Sequence, residues 1–139
     1  MKNAFIAVFI LFATGTFAQK SITWKGGMPG RETCWNEARN WSGHTVPNEF
    51  SNVIIPDVST STFAFPVIQD GMVEVNALIV ASNAMLTLAP NARLVINQQA
   101  EGLNQPQLQL KGTLIIQGEL MGANQSGVAV HIQKIPISE

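Results

Sequence analysis

Asn76-Ala77-Leu78, Asn83-Ala84-Met85-Leu86 and Asn91-Ala92-Arg93-Leu94 are three versions of one short phrase, recurring at steps of 7 and 8 residues. Gly112-Thr113-Leu114 and Gly118-Glu119-Leu120 continue the beat with glycine in place of asparagine. Asn and Gly accept left-handed backbone angles, which a sharp corner between strands requires. A corner plus a strand, repeated, suggests a coil whose successive turns stack as parallel strands, with three steps making a turn of about 22–24 residues. In that geometry equivalent Asn side chains stack into hydrogen-bonded ladders. The same spacing also suits an antiparallel β-sandwich with hairpin loops of about 2–3 residues, which is the alternative.

On either side of this phrase the chain alternates with period 2, the strand signature. Val73 and Val75 point one way, Met72 and Glu74 the other. Leu78 with Val80, Leu86 with Leu88, Leu94 with Ile96 and Leu108 with Leu110 repeat the arrangement, followed by Leu114, Ile116, Leu120, Val128, Val130 and Ile132. One face of each run is apolar and the other mixed, so each strand has a buried side and a wet one. Leu78, Leu86, Leu94, Leu114 and Leu120 are expected in one core, with Ile79, Thr87, Val95 and Ile115 outside. Gln98 to Pro106 breaks the beat and reads as a loop bulging from a corner. No convincing helical spacing occurs; Glu32 to Arg39 has room for one or two turns.

Composition narrows the chemistry. The 139 residues suffice for one domain, and a net charge of −1 offers nothing to nucleic acid or to an anionic membrane. Charged residues are only 12%, fewer than the 11 Asn and 10 Gln together. Two Asp, two His and one Cys exclude a disulfide framework, a Cys/His zinc site and an acid-dense calcium loop. Residues 1–18 read as a secretory signal: Lys2, then apolar Ala4 to Phe12, then Thr16 and Ala18 at the positions a signal peptidase reads. The apolar stretch is shorter than the roughly 20 residues a membrane span needs. The mature chain is expected to start at Gln19, with no stable membrane span and with Cys34 as a small buried hydrophobe.

Residues 19–50 form a second compositional region, holding Trp24, Trp35 and Trp41, all the tryptophan there is. An open coil end exposes an apolar cross-section and unpaired strand edges, so these residues, with Phe50, are expected to cap the coil that occupies 51–139. The competing role is a platform for sugar rings, which makes Trp24, Trp35 and Trp41 the candidate ligand-binding residues. Arg31, Glu32, Glu37 and Arg39 read as surface pairs of low individual worth.

Catalytic arrangements are scarce. Asp57, Asp70 and Glu74 are the only acids near one another in the strand region, and the first two sit beside Pro56 and Gly71, in turn contexts. Neither His44 nor His131 has an acid, His or Cys at ligand spacing. Asn40-Trp41-Ser42 and Asn124-Gln125-Ser126 match the glycosylation acceptor pattern. No phosphate loop or nucleophile elbow is present. No catalytic residue, metal or cofactor is expected.

The order Thr23-Trp24, Trp35-Asn36, Asn40-Trp41, Val46-Pro47, Val53-Ile54-Ile55-Pro56, Pro66-Val67-Ile68 and then the Asn-Ala-Leu repeats resembles the N-terminal segments of secreted and surface proteins of Bacteroidetes bacteria, over residues 23–120. That resemblance implies a parallel β-solenoid, export, and a role in surface structure or adhesion, with no shared active site. Such proteins often end in a C-terminal sorting domain, whereas this sequence stops at Ser138-Glu139, a departure that counts against covalent surface attachment and leaves a free secreted or periplasmic module open. The expectation is therefore an all-β, exported, non-enzymatic module at the cell surface, in the matrix or in the periplasm. Its partners are glycans or other surface proteins. A carbohydrate-binding module is the alternative, and a polysaccharide-active enzyme comes third.

Overall fold

The structure, a computed structural model, describes residues 20–97, 108–122 and 132–133. The signal at 1–18, the loop at 98–106 and most of the strand expected over 128–133 lie outside the described residues. In chain order the strands are β1 (Lys20–Thr23), β2 (Ser51–Ile55), β3 (Val67–Val75), β4 (Ala77–Val80), β5 (Met85–Ile96), β6 (Leu108–Leu110), β7 (Thr113–Ile116), β8 (Glu119–Met121) and β9 (Ile132–Gln133). Among the described residues the helical content is two 3-10 turns, Ala38–Asn40 and Ser42–His44. The fold class is all-β.

Two sheets contain these strands, one ordered β1-β2-β4-β6 and the other β3-β5-β7-β9, with β8 also on β5. Every ladder between them is parallel. The hairpin-linked antiparallel sandwich is thus not the arrangement found, because parallel neighbours cannot be joined by short turns. Val53 pairs with Leu78, an advance of 25 residues, while Ile68 pairs with Leu88 and Val73 with Leu94, advances of 20 and 21. None equals the expected repeat of about 22–24 residues, and other ladders advance by 31, 28, 26 and 18 residues. From Leu78 to Leu108 the advance is 30, because the chain between them includes residues 98–106 beyond the repeat.

Register turns the alternation into columns of core residues. Ile22, Val53, Leu78 and Leu108 are successive partners and all are buried. Leu86 and Leu114 form a second column, and Val73, Leu94 and Leu120 a third, with Leu120 only partly buried. Ile79, Thr87, Val95 and Ile115 stand half-exposed on the other face, as the alternation requires. β5 is long because it serves two ladders: its first half pairs with β7, its second with β8, and a register shift in β3 lies opposite the join.

The corners differ from expectation in an instructive way. Of the three repeat asparagines only Asn83 is left-handed, with φ 63°. Asn76 instead donates its side-chain amide to Asn52 Oδ1 at 2.7 Å, a side-chain amide rung between the start of β4 and the neighbouring β2. Gly112 and Gly118 have no left-handed angle either; they are small because the neighbouring chain is close. A methyl group at Gly118 would collide with the backbone oxygens of Ala92 and Ala89, and one at Gly112 with those of Ala81 and Ala84. Glycine here allows the backbone at 112 and 118 to lie against those carbonyls.

Gly118→Ala should therefore destabilise by about 1–3 kcal/mol, the usual cost of overpacking where backbone must move. Gly30→Ala provides the comparison, since nothing lies within 4 Å of a methyl there and only its φ of 78° is unfavourable, at about 1 kcal/mol. Urea midpoints of the two variants decide it: a smaller shift for Gly118→Ala than for Gly30→Ala would contradict that close approach.

Candidate functional site

The segment between β1 and β2 folds around its tryptophans. Trp24 extends the β1 ladder by donating its backbone N–H to Ile54 C=O at 2.9 Å, and it bridges back to Trp41. The Trp41 ring meets the other two edge-to-face, with centroids 4.8 Å from Trp24 and 4.6 Å from Trp35 and interplanar angles of 79° and 73°. Such contacts set the positive ring edge against the negative face. Trp24 Nε1 donates to Ala64 C=O at 2.8 Å and Trp41 Nε1 to Trp35 C=O at 2.7 Å. All three rings are at most 1% exposed.

A sugar platform needs a ring face in water, and Trp24, Trp35 and Trp41, the candidate ligand-binding residues, are all buried in this structure. Phe50, grouped with them by sequence, is instead 64% exposed. Ahead of the tryptophans, β1 already belongs to the first sheet and pairs with β2. Its four residues, Lys20–Thr23, carry no member of the repeat to give them away.

Asn40 organises this segment, and its importance was not legible from its neighbours. It is fully buried. Its Oδ1 accepts from Met28 N–H at 2.9 Å, and its Nδ2 donates to Arg31 C=O at 2.7 Å and Cys34 C=O at 3.1 Å. Its own carbonyl accepts from Lys25 and Gly26. Asn40-Trp41-Ser42 is thus no glycosylation site in the folded chain, since the amide nitrogen is committed; Ser42 Oγ likewise accepts from Thr23 N–H. The second acceptor pattern, at 124–126, lies outside the described residues. Cys34 is free and half-buried rather than fully buried.

Charged groups on the segment behave as surface pairs. Glu37 accepts from Arg39 Nε at 3.0 Å and lies 3.9 Å from Arg31. The Arg39 hydrogen bond holds the Glu37 carboxyl below its ordinary range, and backbone N–H groups lower Glu32, one of them Gly30's at 2.8 Å. Asp57 is lowered chiefly by the Ser59 hydroxyl, and then by Ser59 N–H at 2.8 Å. Its carboxylate closes a turn, as its sequence context suggested.

Two concavities flank the outer side of β3. One, of about 520 Å³, lies over the row Met72, Arg93 and Glu119, where Arg93 Nε and Glu119 Oε2 pair with each other at 2.6 Å. The other, of about 320 Å³, lies between β3 and the Trp-rich segment, with Pro47, Asn48 and Glu49 on one wall and Met72, Val73 and Glu74 on the other. Trp35 also lines it, and its buried Nε1–H has no acceptor among the described residues. Among the described residues no group of three or more His, Cys, Asp or Glu side chains is placed to hold a metal, and no helix is long and apolar enough to cross a membrane.

Comparison with known proteins adds a family but no activity. No curated protein and no solved structure matches the chain. Residues 23–137, from just before the first tryptophan to just short of the end of the sequence, match the model of a domain of unknown function, DUF8693, and the chain belongs to that family.

Proposed function

We propose that the chain is a short parallel β-solenoid, exported from the cell, that works by interaction as a surface, matrix or adhesin-like component, with its Trp-rich segment closing the N-terminal end. The observation that carries this reading is the set of parallel ladders whose partners stand 18 to 31 residues apart, with buried columns inside. The capping role rests on contact with both sheets. Trp24 continues β1 in the first, while Val67 N–H donates to Thr33 C=O and Trp35 N–H to Val67 C=O on the outer edge of the second. A non-enzymatic role is supported by where the acids go: Asp57 is engaged in a turn and Glu119 in an ion pair. Export rests on the character of residues 1–18 and on the resemblance to Bacteroidetes surface proteins.

Expression with the signal in a Gram-negative host tests both halves. The exported product is expected to begin at or near Gln19 by intact mass. Removal of residues 19–48 is expected to give aggregates, because the apolar cross-section and the first strand edges lose their cover. A soluble, monomeric, β-rich deletion product would overturn the capping role, and an exported product retaining Met1 would overturn the signal.

A further inference from the structure

Among the described residues the outer edge of β3 is only half covered. In a parallel ladder alternate residues direct both their N–H and C=O groups at a given neighbour. Val75 C=O accepts from Asn97 N–H next to β5, so Val75 and Val73 serve β5, whereas Met72 and Glu74 turn their backbone groups to the opposite side. There the segment around Thr33 and Trp35 covers Val67 and then departs into the turn at Ala38–Asn40. Met72 and Glu74 consequently face the 320 Å³ hollow whose far wall is Pro47 to Glu49. That wall is held in place by a tight turn, in which Ser51 N–H donates to Asn48 C=O at 2.9 Å and Asn48 N–H to Ser51 Oγ at 3.0 Å.

We propose that this hollow is a docking groove for an extended, cationic peptide segment of a partner protein, which adds to the Met72–Glu74 edge as a further strand. The backbone groups of Met72 and Glu74 supply the strand-pairing donors and acceptors, the mode of recognition by β-addition. Charge selects the occupant. Glu49 and Glu74 both line the groove, and neither has a cationic partner among the described residues. A second copy of this chain would bring the same carboxylates to the same edge, so like charge disfavours self-pairing there while a lysine-bearing strand is drawn in. The 520 Å³ hollow over Arg93 and Glu119 is the weaker site, because its opposite charges already neutralise each other. Met72, 60% exposed, offers the incoming strand an apolar contact at the groove's rim.

The proposal rests on the interaction role and names its partner class. It is tested on the full mature chain by fluorescence anisotropy with a labelled, end-blocked hexapeptide of alternating valine and lysine. Saturable binding is expected at low salt. An otherwise identical peptide N-methylated on every amide should bind at least about tenfold more weakly, as should the Glu49→Gln/Glu74→Gln double variant towards the parent peptide. Both substitutions are on solvent-reachable side chains, and circular dichroism verifies that the fold is retained. Equal binding of the N-methylated peptide, equal binding by the double variant, or no saturation by about 1 mM peptide would each overturn the groove. None of those results bears on export or capping, which the intact mass and the deletion decide separately.

Discussion

Trp41→Ala is expected to cost about 3–5 kcal/mol of folding stability, the range for deleting a large buried aromatic. Trp41 has no exposed surface and touches both other indoles by their edges. Its removal leaves a void against Trp24 and Trp35, and it strips the Trp35 carbonyl of the donor now 2.7 Å away. Domains of this size hold only about 5–15 kcal/mol in total, so much of the margin goes with one ring. Urea unfolding measures the loss, with Phe50→Ala as the control. Phe50 is mostly in water and should shift by no more than about 0.5 kcal/mol. Similar midpoints for the two variants would show that the indole cluster does not hold the N-terminal end together.

Asn40→Ala should cost about 1–3 kcal/mol, since it leaves the Met28 N–H without its acceptor and takes from the Arg31 and Cys34 carbonyls one of two donors, the other being the N–H of Cys34 and of Glu37 respectively. The three groups belong to Met28, Arg31 and Cys34, which span the loop between the first two tryptophans. Asn40→Asp is the sharper experiment. The new carboxyl keeps an acceptor for Met28 N–H, but at neutral pH it sets a charged oxygen against the Arg31 and Cys34 carbonyls. Burial and those carbonyls raise its pKa in the folded state. The folded state then binds the proton more tightly than the unfolded one, so the defect should be greatest at neutral pH and shrink as pH falls through the raised value. A defect independent of pH between neutrality and the acid range would mean that the side chain at 40 does not face those carbonyls.

The strand faces were readable in advance because period 2 is a local property: Leu78, Leu86, Leu94 and Leu114 alternate with residues that must face out. The corners were readable as positions, though not for the right reason. Glycine was expected at 112 and 118 for its left-handed freedom, whereas a side chain there is excluded by the carbonyls of residues 26 to 31 positions earlier. Close approach between turns leaves no mark on the residues beside the glycine. Strand direction was open for a related cause, since a spacing of 7 or 8 fits either a hairpin or the side of a coil. The tryptophans stand out as a group in the sequence, but the contacts that hold their segment involve Asn40, Ala64 and Val67, which no repeat pattern connects to them. The groove beside β3 is less legible still. It arises where one segment stops pairing with a strand edge and another, 12 residues later, begins to wall it in.

The central claim, that successive turns stack in parallel, is most directly tested by cross-strand nuclear Overhauser contacts in the isotope-labelled mature chain. Parallel stacking puts Val53 beside Leu78, Leu86 beside Leu114 and Val73 beside Leu94. The account predicts amide-to-α-proton contacts between those pairs, together with the slowest amide exchange along β2, β4 and β5, which have neighbours on both sides. Close α-proton to α-proton contacts linking residues 77–80 with residues 85–88 would be the mark of an antiparallel hairpin, and would contradict it.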